Sequence, residues 1–456
     1  MSSHSDDILH QMRSDAVNIF HAALEPVNPY NAVQRFVRVE GNSLLFEKDG
    51  NLETLDLTRF EHIFLVGGGK ATAPMAKAME DLLGDRIKAG LISVKYGFTE
   101  KLSFTEIIEA DHPLPDSNGV KGTQRIIDLL NKAGERDLIF SLISGGGSAL
   151  LPQPAGSIRL EEKQIVTKAL LKCGASIDEI NAIRKHISAS KGGQMARAAY
   201  PATIINLMLS DVVGDRMDVI ASGPFVPDEA TFQDALQILH KYGIEDIPTS
   251  VKDHLRKGID GRIPETPKQG DKVFNKVHNL IIGSNILALE AAAKSAEGLG
   301  YKALILSSMI EGETKDVALV HVAIAKEILK SGRPVKPPGC IISGGETTVT
   351  IKGKGKGGRN QEFCLAAAKG IMGLPLRVVI LSGGTDGNDG PTDAAGAVVD
   401  PLTVQRGEKR GLEISEYLAN NDSYHYLEKT RDLLMTGPTN TNVMDVRIML
   451  LKNNEQ

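Results

Sequence analysis

With 456 residues, 41% of them hydrophobic and 24% charged, the chain has the composition of a soluble globular protein and is too long for one typical core, so two or three domains are expected. A net charge of −5 gives no reason to expect nucleic acid or an anionic membrane as partner, and no run of 18 uninterrupted apolar residues occurs. Cys173, Cys340 and Cys364 are few, odd in number and widely spaced, which argues against a disulfide framework or a zinc site and for a cytoplasmic setting.

The first 20 residues carry acids and lack an apolar core of signal-peptide length, so they read as a soluble amphipathic helix. Residues 25–56 are polar and turn-rich, with an alternating stretch that turns at Asp49-Gly50 like a small hairpin at a sheet edge. At 62–79 an apolar run, with Ile63 to Val66 as strand, stops at Gly67, Gly68, Gly69 and Lys70 and becomes helical, with Ala71, Met75, Ala78 and Leu82 on one face. Short strands follow at 91–94 and 107–110, the second running into Asp111-His112-Pro113-Leu114-Pro115-Asp116.

The pattern then repeats. A strand at 138–143 ends in Ser144, Gly145, Gly146, Gly147 and Ser148, and one at 204–209 ends in Ser210-Asp211-Val212-Val213-Gly214-Asp215. Between them a helical segment carries Ile177, Ile180, Ile183 and Ile187 on a buried face, with Arg184, Lys185 and Lys191 off it. Strands alternating with helices imply a parallel sheet covered on both faces. Residues 1–256 read as one α/β domain. Residues 257–278, rich in Pro, Gly and Lys, read as a linker, and 279–456 as a second α/β domain. In the latter, a strand at 279–282 precedes Ser284 and Asn285, one at 340–343 precedes Gly344-Gly345-Glu346, and one at 378–381 precedes Ser382-Gly383-Gly384-Thr385-Asp386-Gly387.

Ligands of open parallel sheets bind beyond the carboxyl ends of the strands, and six strand ends here combine small residues with charged or polar ones. At Lys70 a strand hands over to a helix whose first N–H groups favour an anion. Neither standard nucleotide recipe fits. The nucleoside triphosphatase loop would need Gly where Phe64 stands and Ser or Thr at Ala71; the dinucleotide fingerprint ends on Thr72, and the next strand runs into Lys95 instead of an acid.

The acids Asp211, Asp215, Glu346, Asp386, Asp389 and Asp393 offer hard oxygen ligands of the kind that hold Mg²⁺ together with phosphates and water. Lys70, Arg184, Lys185, Lys191 and Arg359 offer grips for phosphate or carboxylate oxygens. Arg359, followed by Asn360, opens a helix, a poor place for a cation unless an anion is bound there. Together with the glycine loops these sets fit phosphoryl transfer, where catalysis is positioning plus neutralisation of charge.

The segments GGGKA at 67–71, DHPLPD at 111–116, SGGGSALL at 144–151, RKHIS with KGG at 184–193, SDVVGD at 210–215, SGP at 222–224, IIGSN at 281–285, SGGETTV at 343–349, GGRNQE at 357–362 and GGTDGNDGPTDAAG at 383–396 resemble the class II glycerate 2-kinase family. The resemblance implies a Rossmann-like αβα N-terminal domain, a MOFRL-type α/β C-terminal domain and an active site in the cleft between them. It also implies ATP-dependent, Mg²⁺-dependent phosphorylation of D-glycerate to 2-phosphoglycerate, with Lys70 and Arg359 as the catalytic cations. Residues 67–69, 144–148, Arg184, Lys185, Lys191, Ser284, Asn285 and Asn360 are the candidates for nucleotide or substrate binding, and Asp211, Glu346 and Asp386 for the metal. The expected protein is a monomer or homodimer without nucleic-acid or membrane partners. A nicotinamide-dependent hydroxypyruvate reductase and a non-enzymatic hydroxy-acid-binding protein are the rival readings.

Overall fold

The structure, a computed structural model, describes residues 2–48, 50–244 and 246–453. The chain forms two compact units, Pro29–Ile282 and the residues up to Asn28 together with those from Gly283 on.

In the unit Pro29–Ile282, helix Pro29–Phe36 leads into a three-stranded antiparallel sheet of β1 (Val37–Glu40), β2 (Ser43–Lys48) and β3 (Asn51–Asp56), one strand more than the expected hairpin. Asp49 of the expected turn lies outside the described residues. Its main sheet comprises β4 (His62–Gly68), β5 (Ile87–Lys95), β6 (Thr105–Ala110), β7 (Asp137–Ile143), β8 (Thr203–Leu209) and β9 (Val277–Gly283) in the order β6-β5-β4-β7-β8-β9. The neighbours from β6 to β8 all pair in parallel. This is the doubly wound order, and the chain reverses its direction of winding between β4 and β7, where such sheets bind ligands.

Alternation along the strands builds both cores. Leu65, Leu138, Phe140 and Leu142 pack with Met75, Ala76 and Met79 of helix Thr72–Leu83 on one face. Val66, Ile139 and Ile143 pack with Ile126, Ile127 and Met195 on the other. Because β7 and β8 are buried along their whole length, DLIFSLI and TIINLML read as near-continuous apolar runs rather than alternating ones.

The second unit contains β10 (Lys302–Ser307), β11 (Gly339–Gly345), β12 (Val378–Gly384), β13 (Gly396–Val399), β14 (Leu433–Leu434) and β15 (Asp445–Leu451), ordered β10-β11-β15-β12-β13-β14. Only β10 and β11 pair in parallel; the other neighbours of this sheet pair antiparallel. The last strand, β15, inserts antiparallel between β11 and β12, so its first residue, Asp445, lies opposite Gly345 and Gly384 at the carboxyl ends of its neighbours.

Two expected boundaries shift. Helix Ser2–Leu24 packs Met12, Ala16, Ile19, Phe20 and Ala23 against Ala288, Leu289 and Ile448 and so joins the second unit. Its apolar stripe announces a partner without saying which. Residues 257–278 are no free linker: His186 Nε2 meets Glu265 at 2.8 Å and Thr266 Oγ1 donates to Asp228 at 3.0 Å, tying the segment to the first unit, whose sheet β9 completes. No described helix is long and apolar enough to cross a membrane.

Candidate active site

In the first unit, the loops after β4 and β7 lock together at the reversal point. Lys70 N donates to Gly145 O at 2.9 Å, and Ala71 N to Ser144 Oγ at 3.0 Å. A Cβ on Gly69 (φ +150°) would collide with Ser144, and one on Gly146 (φ +83°) would lie 2.9 Å from His112 Cδ2 and 3.3 Å from Lys70 Cγ. Glycine therefore allows both loops and the 111–116 loop to meet around the lysine. Asp211, at the end of β8, abuts Gly145. Burial raises the pKa of its carboxyl, against the pull of Lys70. Burial and the Lys70 charge push His112 down to about 4, so it is neutral at physiological pH.

Ser148, at the far end of the loop, is a hub for cations. Arg184 Nη2 donates to its Oγ at 2.7 Å, and Lys191 Nζ reaches its carbonyl at 2.8 Å and its Oγ at 3.0 Å. Ser148 Oγ also meets Ser222 Oγ at 2.7 Å. Ala221 and Ser222 hold φ of +51° and +62°, left-handed values that β-carbon-bearing residues seldom adopt and that cluster at functional sites. Lys191, expected to leave the buried face, is 1% exposed, whereas Ile177, expected on that face, is 54% exposed.

Lys185 is already paired within the first unit. It is buried between Asp228, 3.2 Å away, and Asp218, 3.3 Å away, and closes a structural ion pair. The sequence shows a cation beside Arg184 but not the partner that neutralises it.

In the second unit, Arg359 opens helix Arg359–Ile371. The anion its position calls for comes from the chain itself: Asp445 accepts from Nε at 2.7 Å and from Nη2 at 3.0 Å, and Glu346 from Nη1 at 2.8 Å. Three of the five guanidinium N–H donors are thereby engaged. Burial opposes the Arg359 charge, but these carboxylates overcome it and raise its pKa. Asp389 caps the same helix, accepting from the backbone N of Gln361 at 2.8 Å and of Asn360 at 3.1 Å. Burial lifts the Asp389 carboxyl to about 7 in spite of those bonds, with the Asp445 charge adding to the rise.

The remaining candidates of this unit divide. Asn360 is buried and joins Asp445 at 2.8 Å to Asp389 at 3.3 Å, and Asn285 is buried with its Nδ2 on the carbonyls of Val443 and Asp445 at 2.7 and 2.9 Å. Both fasten the framework around Asp445, and Ser284, which precedes Asn285, is buried. Asp386 accepts from Asn388 N at 3.1 Å within its own loop, while Glu346 faces Arg359. Among the described residues no three His, Cys, Asp or Glu side chains form a metal cage.

Three residues escaped the sequence reading. Asp445 and Arg447 interrupt an otherwise apolar strand, DVRIMLL, and a charge in such a run is the signal that marks them. Lys163 stands three residues before Val166 and seven before Leu170 on the buried stripe of helix Leu160–Lys172, where a lysine is out of place.

The family model described as "Domain of unknown function (DUF4147)" matches residues 15–256, and that of the MOFRL family matches 339–445. A "Glycerate 2-kinase" from Pyrococcus horikoshii is 41% identical over 96% of this chain and 97% of its own. The crystal structure of a glycerate kinase from Thermotoga maritima superposes with a TM-score of 0.86 at 40% identity, covering 97% of this chain and 100% of that one. An Agrobacterium vitis protein carrying the provisional name hydroxypyruvate reductase is 42% identical over 85% of this chain and 86% of its own.

Proposed function

Because the chain belongs to the glycerate kinase family that joins a DUF4147 domain to a MOFRL domain, we propose that it transfers the γ-phosphoryl group of ATP to the 2-hydroxyl of D-glycerate, giving 2-phosphoglycerate and ADP. The observation that carries the reading is the interlocked pair of glycine loops at the reversal point of the doubly wound sheet, with Lys70 standing over them. In phosphoryl transfer the protein contributes positioning and neutralisation, and backbone held this tightly keeps a cation in place without reorganisation.

Lys70 and Arg359 stabilise the negative charge on the transferring phosphoryl group. Arg359 is aimed for that task by Asp445 and Glu346, which fix the plane of its guanidinium. Asp211, Glu346 and Asp386 supply hard carboxylate oxygens suited to Mg²⁺, which needs only one or two such ligands when phosphates and water complete its shell. Bound there, the ion would neutralise phosphate charge.

The hydroxypyruvate reductase reading is disfavoured by Lys95, which stands at the end of β5 where a dinucleotide-binding sheet needs an acid for the ribose. Incubation with MgATP and D-glycerate, followed by ³¹P NMR of the product, tests the proposal: a 2-phosphoester is expected. Absence of any phosphoester, with NADPH consumed on addition of hydroxypyruvate, would reverse the choice.

A further inference from the structure

The first unit contains a cavity of about 780 Å³ beside the Ser144–Ser148 loop. Its inner end is lined by Lys163, Arg184 and Lys191 around Ser148. Lys163 and Lys191 are 6% and 1% exposed, and the bonds of their ammonium groups go to neutral oxygens: Pro152 O at 3.0 Å for Lys163, and Ser148 for Lys191. Arg184 likewise bonds to Ser148. Buried charges are normally paired, and three cations on neutral oxygens leave a concentrated positive potential with no carboxylate paired to them among the described residues. Lys168 lines the wall as well, and Glu161, exposed, is the lone acid of the lining.

The outer wall has the opposite character. Leu114, Ile165, Leu171 and Ile177 line the same cavity and are strongly exposed, Leu114 at 69% and Leu171 at 64%. Large aliphatic side chains gathered at a cavity mouth mark a binding surface rather than stray surface residues.

We infer that this cavity is the nucleotide subsite: the polyphosphate of ATP lies against Lys163, Arg184 and Lys191, and its base lies on the wall of Leu114, Ile165, Leu171 and Ile177. The inference rests on the kinase reading for the identity of its ligand and adds the place where that ligand is held. A ligand for this cavity must be polyanionic at one end and apolar-faced at the other. A three-carbon hydroxy acid has neither the size nor the second feature. Burial, aided by the neighbouring Arg184 charge, lowers the pKa of Lys163 and Lys191, and a polyphosphate beside them would favour their charged forms.

The test is isothermal titration of the full chain with ADP and with inorganic tripolyphosphate, alongside steady-state kinetics in both substrates. Ile177→Glu alters the exposed wall without touching the core, and Lys163→Met removes one cation at similar volume. Ile177→Glu is expected to weaken ADP about tenfold or more while leaving tripolyphosphate unchanged. Lys163→Met, checked for an intact thermal transition, is expected to weaken both. In each variant KM for ATP rises and KM for glycerate stays within about twofold. Unchanged ADP affinity in Ile177→Glu and in Leu171→Glu overturns the assignment, as does a rise in glycerate KM with ATP unaffected. Should the wild type bind ADP as described yet phosphorylate no glycerate, the kinase reading fails and the subsite stands.

Discussion

Arg359 grips Asp445 through both carboxylate oxygens, at 2.7 and 3.0 Å, and Asp445 has no exposure to solvent. The pair is part of the framework, because Asp445 also accepts from Asn360 and Arg447. Arg359→Ala leaves a buried carboxylate short of its main counter-charge and is expected to cost about 3–5 kcal/mol of stability as well as activity. Arg359→Lys keeps the charge but loses the planar fork. It is expected to lose less stability and still show a kcat depressed by about 10²-fold or more, read from denaturant unfolding and steady-state kinetics side by side.

Lys70 behaves differently. Its backbone N, not its side chain, ties the two glycine loops together, so Lys70→Ala is expected to retain the wild-type thermal transition. Its kcat is expected to fall about 10³-fold or more, with a smaller change in KM, as befits a group whose interaction strengthens in the transition state. Near-normal turnover would remove it from the catalytic machinery.

Lys185 separates structure from function next to Arg184, a proposed binding residue. Lys185→Met strands Asp228, which is buried, and is expected to lower stability by about 3–5 kcal/mol while both KM values measured well below the transition temperature stay unchanged. A selective rise in either KM would return Lys185 to the binding set.

Asp389 gives the second unit a dependence on pH. Its carboxyl is raised from 3.8 to about 7 in the folded chain, so between those values the native state holds a proton that the unfolded chain has released. Stability from this group therefore falls as pH rises through that window and is level above about 7, a total on the order of 4 kcal/mol. Asp389→Asn removes the slope. The stability gap between wild type and variant is expected to shift in the variant's favour as pH is raised from about 5 to about 8, followed by urea unfolding. A pH-independent gap would show that Asp389 ionises normally.

The sequence by itself determined the α/β class, the strands at 63–66 and 138–143, the glycine loops that follow them and the position of Lys70 at a strand-to-helix junction, because apolar periodicity and glycine placement are local properties of the chain. It also showed that Arg359 starts a helix and needs an anion. Only the tertiary structure decided which anion: Asp445, 86 residues away, reaches it because β15 inserts antiparallel between β11 and β12. The same holds for Lys185, Lys191 and Ile177, whose burial was read in reverse. A helical stripe says which residues share a face, but whether that face meets a counter-charge, a core or a cavity depends on segments distant in sequence. Pairing between residues far apart is set by sheet order and register, and no local pattern encodes either.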